Sequence, residues 1–326
     1  AHDIAREVDE MAGAISGFAG RNSFGLGMEV LSRHMEGGLE LFMDCLLHPS
    51  FSASRLEEER LNILESLRTR NDNPSRVAFL LFQEALYGGH PYAMDILGTE
   101  ESVLHLSREQ LLDYYRAHYL PSRMTLSVVG DVDGPQVIER VARILDGCDA
   151  PGGQRRWPEE VEPPQAVEKV RTMNKKQAHL ILGFLGTSLS SEERFTLEVI
   201  NGALSGQSGR LFQRLREELG LAYQVTSISL DGLDRGYLAV YASSDPSNLL
   251  VVLEEVQRQI RLLREEGIGE EELARVKRLL IGHQAIGLQR LSHQASEIAF
   301  YEAYGLGYQE GRRYRERITA VTPEMV

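Results

Sequence analysis

Apolar positions recur along this chain with two distinct periods. Leu249, Leu253, Val256, Ile260 and Leu263 are spaced by four and three, the stripe of an amphipathic helix. "EERFTLEVINGAL" and the charged "SFSASRLEEERLNILESL" (50–67) also read as helices, and "GYLAVYA" (236–242) as a strand. In "MTLSVVGDV" (124–132), Met124, Leu126 and Val128 alternate, which predicts another strand. The stretch "GRLFQRLREELGLAYQV" (209–225) changes period partway. It starts as a helix, stops at Gly220, which takes the left-handed conformation cheaply, and continues as the strand "LAYQVTSISL".

These elements repeat. "SFSASRLEEERLNILESL" parallels "GIGEEELARVKRLLIGHQ" (267–284), "FQEALYG" (82–88) parallels "FYEAYGLG" (300–307), and "HLSREQL" (105–111) parallels "AVTPEMV" (320–326). The offset is 217 between Leu56 and Leu273, 218 between Glu84 and Glu302, and 215 between Ser107 and Thr322. The last pair each place a hydroxyl at a helix cap with Glu at or near the third helical position, a capping-box pattern. One order at one offset defines an internal repeat. The first unit spans 1–147 and the second 166–326, joined by the Pro-, Gly- and charge-rich linker 148–165, "CDAPGGQRRWPEEVEPPQ". In this register the first unit lacks opening strands and a first helix, and the second lacks a closing helix and strand, so the expectation is two truncated units. Each sheet short of a strand would expose an edge.

Composition narrows the functional classes. Net charge is −13, against the clustered basic surface that nucleic-acid binding needs. Hydrophobic residues make up 42% of the chain, but no apolar run reaches membrane-span length. "AHDIAREVDE" has neither the basic start nor the apolar core of a signal peptide. The composition fits a soluble chain of cytoplasm or periplasm. Two cysteines, Cys45 and Cys148, make neither a disulfide framework nor a zinc site, and Cys45 reads as a small core residue.

Motifs for common chemistries are missing. The nine histidines include no HExxH or HxxEH pair, and there is no Walker loop, no GxGxxG after a strand and no GxSxG elbow. "NGALSGQSG" (201–209) reads as a turn between helices, and Glu58 and Glu65 as one solvated face. What remains is Arg216 near the end of a helix and Tyr223 just past its stop. On their chemistry alone two readings stand. Either they hold a backbone carbonyl of an extended peptide with a guanidinium and a phenol, or Arg216 pairs with neighbouring carboxylates and Tyr223 half-buries in a sheet.

"SGRLFQRLREELGLAYQV" resembles the second-domain signature of the insulinase/pitrilysin family of zinc metallopeptidases, the inverzincins that include mitochondrial processing peptidase subunits. "NDNPSRVAFLLFQEALYGGHPY", "ILGTEESVLHLSREQLLDYYRAHYLPSRMTLSVVGDVD" and "ITAVTPEMV" match the same pattern in order over nearly the whole chain. The resemblance implies an α+β fold of paired homologous domains, each a mostly antiparallel sheet covered by helices, as in LuxS and the processing peptidases. It implies zinc held by an HxxEH helix and a downstream glutamate, with an Arg and a Tyr spaced as Arg216 and Tyr223 reaching the substrate. Laid on "EERLNILESLRTRNDNP", the glutamate position falls on Ser66, with Glu65 one residue early. One residue on a helix turns a side chain by about 100°, and serine is a poor zinc ligand.

The resemblance therefore implies a half with no catalytic or metal-binding residue and no cofactor of its own, zinc being expected in the catalytic half. Its expected partners are a peptide or unfolded polypeptide and a catalytic half, in the same chain or as a separate subunit, with no nucleic acid and no membrane span. Two alternatives remain: an active peptidase with HxxEH upstream of residue 1 and Glu65 as ligand, or a non-enzymatic assembly subunit.

Overall fold

The computed structural model describes residues 2–148 and 165–326. The linker expected at 148–165 falls, except for its end residues, outside the described residues. The chain divides into two compact units that interleave in sequence. Unit 1 takes 1–64, 99–156 and 286–311; unit 2 takes 65–98, 157–285 and 312–326. Each unit thus includes a segment from the other half of the sequence. The two borrowed segments contain the corresponding motifs "FQEALYG" and "FYEAYGLG" of the repeat.

In the first half, α1 (His2–Glu10) leads into strands β1 (Ala14–Ala19) and β2 (Phe24–Glu29). Helices α2 (Met35–Leu47), α3 (Ala53–Asn71), α4 (Pro74–Tyr87), α5 (Glu100–His105), α6 (Arg108–His118) and α7 (Gly134–Ile144) follow. The second half has β3 (Ala178–Leu185), α8 (Glu193–Leu204), α9 (Arg210–Phe212) continued by a π-helical segment (Gln213–Glu218), β4 (Ala222–Leu230) and β5 (Tyr237–Ser244). It closes with α10 (Leu249–Glu266), α11 (Glu270–Gly287), α12 (Leu291–Ala303) and α13 (Glu310–Ala320). The class is α+β with antiparallel sheets, as the resemblance implies.

Unit 2 is built on the sheet β3-β5-β4, antiparallel throughout, with β5 central. Side chains alternate across a sheet, so each face needs its own cover. One face meets α4, where Phe82 lies edge-on to Tyr237 at 5.2 Å and Phe79 stacks on Tyr241 at 5.8 Å. The other face and helices α8, α10 and α11 share the main core: Val199, Leu204, Val225, Val240, Val252, Val256 and Val276. On α10 the buried line is Val252, Val256, Gln259 and Leu263. It shares Val256 and Leu263 with the stripe read from sequence, and the remaining apolar positions flank it.

Unit 1 carries the hairpin β1–β2, paired antiparallel from Ala14 with Glu29 to Ala19 with Phe24. Its glycines weaken the strand signal, and the sequence pattern does not show it. Helix α12 belongs to this unit: the Tyr304 hydroxyl bonds Ser23 Oγ at 2.8 Å, and the Ser127 hydroxyl donates to the Ala295 carbonyl at 2.6 Å. A hydrophobic cluster in unit 1 packs Leu39 and Met43 of α2 against Val137 of α7. Cys45 is half-buried, and burial pushes its thiol up.

Two expectations are corrected. Residues 124–132 form no strand. Their alternation survives, but with Leu126 and Val128 turned outward and no strand alongside. Alternation sets the faces of extended chain, whereas a ladder also needs a partner backbone, and the sheet of unit 1 contains β1 and β2 paired with each other. At the start of α6, the capping box closes through Gln110 rather than Glu109, which sits one residue earlier.

The α4 face depends on a glycine. A Cβ on Gly183 of β3 would lie 2.4 Å and 2.7 Å from Phe82 ring atoms. Gly183→Ala should therefore cost about 1–3 kcal/mol by overpacking, read as a lower urea midpoint. Phe82→Leu in the same chain should recover part of that loss, and simple additivity of the two losses would show that the close approach is not the cause.

Candidate functional site

Helix α9, its π-helical continuation and the start of β4 place Arg216 and Tyr223. Leu211 and Leu215 are fully buried one turn apart, so this helix has a committed inner face. Arg210, one turn before Arg214, is tied to Glu272 through its Nε at 3.0 Å and an Nη at 2.6 Å, and donates to the Gly267 carbonyl at 3.0 Å. Arg214 is held by Glu218 at 2.7 Å and by Glu255 of α10 at 3.0 Å. Two of the three arginines of this helix are therefore structural.

Arg216 is different. It is exposed, and its only described contact is the Phe212 ring, with the guanidinium carbon 5.8 Å from the ring centroid. No hydrogen bond or ion pair among the described residues engages it. Of the neighbouring carboxylates, Glu218 is taken by Arg214. The i, i+4 spacing of Arg214 and Glu218 is the sequence signal that reveals this. Tyr223 is 52% exposed, and its hydroxyl has no partner among the described residues.

Both residues sit at departures from regular backbone. Arg216 lies within the π-helical segment, where the Leu219 N–H donates to the Arg214 carbonyl at 3.1 Å, five residues back. Such segments are rare and frequent at functional sites. Gly220 then breaks the helix at φ +62°, and the Leu221 N–H closes on the Leu215 carbonyl at 2.8 Å. Tyr223 falls at a bulge: Ala222 pairs with Ser244 and Gln224 with Ser243, which leaves Tyr223 between them without a place in the ladder. A bulge bends an edge strand and re-aims a side chain. β4 is an edge strand of this sheet.

A polar row crosses the sheet beside the bulge: His179 on β3, Ser243 on β5 and Gln224 on β4. His179 Nδ1 lies 2.9 Å from the Tyr241 hydroxyl. Burial lowers the His179 pKa and raises that of Tyr241, so the fold holds both groups neutral.

The expected glutamate position on α3 does not make a metal centre. Glu65 and Ser66 are both exposed. Among the described residues no group of three or more His, Cys, Asp or Glu side chains is placed to hold a metal ion.

With this geometry in hand, comparison with known proteins gives a consistent result. The family model described as "Peptidase M16 inactive domain" matches residues 105–280, and the one described as "Insulinase (Peptidase family M16)" matches residues 1–100. The "uncharacterized zinc protease ML0855" of Mycobacterium leprae is 30% identical over 330 residues, covering 100% of this chain and 74% of the relative. The "uncharacterized zinc protease YmxG" of Bacillus subtilis is 29% identical over 299 residues, 91% of this chain and 72% of the relative. The crystal structure of a peptidase M16 inactive domain from Pseudomonas fluorescens shares the fold, with TM-score 0.86, 21% identity and coverage of 99% of this chain and 78% of the other. The chain belongs to peptidase family M16, the insulinase family of zinc proteases.

The half-buried His179 gives a pH prediction. Its folded pKa lies below the unfolded value of about 6.5, so the unfolded chain binds the proton first as pH falls. Its contribution to stability is complete above the unfolded pKa and is lost as pH falls through it toward the folded value. The urea midpoint of the protein should drop between about pH 7 and 5.5 more steeply than that of His179→Gln. Identical slopes would contradict a ring held neutral by partial burial.

Proposed function

We propose that this chain is a non-catalytic, peptide-binding half of an M16 zinc metalloendopeptidase, in which Arg216 and Tyr223 grip the backbone of an extended substrate. The observation that carries this reading is their shared state: exposed, without a hydrogen-bonding partner among the described residues, and held by a π-helical turn and a bulge on either side of one fixed glycine. A guanidinium offers five donors in a rigid fork and a phenol offers one. A peptide in extended form presents carbonyls in need of donors. Arg216 donates to one such carbonyl and Tyr223 to a neighbouring one. Because both stand on ordered backbone, the cost of holding substrate falls on their side chains rather than on the main chain.

Several observations support the non-catalytic part. The match to the inactive-domain description covers residues 105–280. Ser66 stands where the family pattern calls for a glutamate, and the described residues bring no ligand set together around Glu65. Zinc belongs to a catalytic half, in the same polypeptide or in a partner subunit. The name zinc protease borne by relatives fits the assembly of both halves.

The test is zinc analysis and peptide hydrolysis on the chain restored to its full N-terminus, first alone and then with an M16 half bearing an intact HxxEH helix. The expected result is no stoichiometric zinc and no cleavage alone, with cleavage of unstructured peptides once assembled. Arg216→Ala should lower kcat/KM of the assembly about 10- to 100-fold, the loss of a charged hydrogen bond. Tyr223→Phe should lower it about 2- to 10-fold, the loss of a neutral one. Stoichiometric zinc and cleavage by the chain alone would overturn the proposal and point to Glu65 as ligand.

A further inference from the structure

Arg216 and Tyr223, acting as donors, hold only the carbonyls of an extended peptide. Such a backbone also presents N–H groups, and these need acceptors. A guanidinium has none to give. The register of the sheet places acceptors beside Tyr223. Ala222 and Val225 of β4 both belong to the main core, although they lie three residues apart. A regular strand would turn them to opposite faces. The extra residue of the bulge keeps both inward and leaves Tyr223 and Gln224, consecutive in sequence, to the other face.

That face is the one α4 covers. Its ring contacts run from Phe82 on Tyr237 to Phe79 on Tyr241. One further turn leads back to the helix start at Pro74, and Ser75 in that turn meets the Tyr241 hydroxyl. The row of the sheet beyond Tyr241 is polar: Gln224 opposite Ser243, and Ser243 opposite His179. Gln224 is exposed, and no hydrogen bond among the described residues engages it. The His179 ring is fixed from one side, where Nδ1 meets the hydroxyl of the buried Tyr241. Its Nε2 engages no described residue. Two strand spacings separate Gln224 from His179, about 10 Å. Roughly three residues of extended chain cover that distance.

We propose that Gln224 and His179 form, with Tyr223, a main-chain subsite over which the peptide crosses β4, β5 and β3. The inference rests on the gripping role proposed for Arg216 and Tyr223. The Gln224 carboxamide accepts one peptide N–H and can donate to a carbonyl. His179 Nε2 supplies a second point about three residues further on, as acceptor or donor according to its tautomer. Every point stands on a strand of one sheet, so the spacing is set before the peptide arrives. The ligand so recognised is polypeptide main chain in extended form, with an N–H at the residue facing Gln224. Proline at that residue has no such N–H and is excluded.

The experiment measures binding of a labelled unstructured peptide and of analogues that carry one backbone ester each, which removes a single N–H without adding bulk. One ester position should weaken binding about 2- to 10-fold, the loss of a neutral hydrogen bond. In Gln224→Leu the parent peptide should bind more weakly by the same factor, and the ester at that position should cost nothing further. Gln224→Glu, which keeps an acceptor, should remain sensitive to it. His179→Phe, which keeps a ring without its nitrogens, should weaken the parent peptide by a similar factor. Ester sensitivity unchanged in Gln224→Leu, no sensitivity at any position, or full affinity in His179→Phe would overturn the subsite. If Arg216→Ala still weakens binding in that event, the grip itself stands. No binding at all, or binding that neither Arg216→Ala nor Tyr223→Phe weakens, would overturn both.

Discussion

Burial of Leu211 and Leu215 is the interaction on which the candidate site depends. Both side chains are fully excluded from solvent, in the same core cluster as Ala222 and Val225 of β4. Each leucine is worth about 1.5–3 kcal/mol of transfer free energy, so the helix and the strand are pinned on both sides of Gly220. The eight residues from Arg216 to Tyr223 then have little freedom. The widened helical turn and the bulge absorb the mismatch between two fixed elements, and the side chains at those two irregularities are left in solvent. Arg210 and Arg214 reinforce the arrangement by anchoring the same helix to Glu272 and Glu255. Arg216 has no such duty.

Much of this was legible in the sequence. The period change across 209–225 marked the break, and Gly220 adopts the conformation assigned to it. β5, β4 and α10 follow their apolar patterns closely. What was hidden shares one cause: it depends on partners distant in sequence. Residues 124–132 have the alternation of a strand without a strand to pair with. The hairpin β1–β2 forms despite weak propensity because its two strands satisfy each other. Neither the π-helical turn nor the bulge at Tyr223 has a local signature, since both arise where two independently packed elements meet. The freedom of Arg216 was partly readable, because Arg214 at i, i+4 from Glu218 removes one competing carboxylate.

The internal repeat also explains an unusual division of the chain. Corresponding segments, 65–98 and 286–311, are each assigned to the unit built mainly from the other half of the sequence. The close fit of Phe82 over Gly183 shows how specific such a borrowed element is, since α4 packs on a sheet whose strands begin about a hundred residues later.

The most direct measurement is a titration of this chain alone with a labelled unstructured peptide, followed by fluorescence anisotropy, for the protein, Arg216→Ala, Tyr223→Phe and the double variant. Two donors gripping one backbone should act as a unit, so each single change weakens binding and the double change costs less than the sum. Binding of equal affinity in the protein and the double variant would contradict the account.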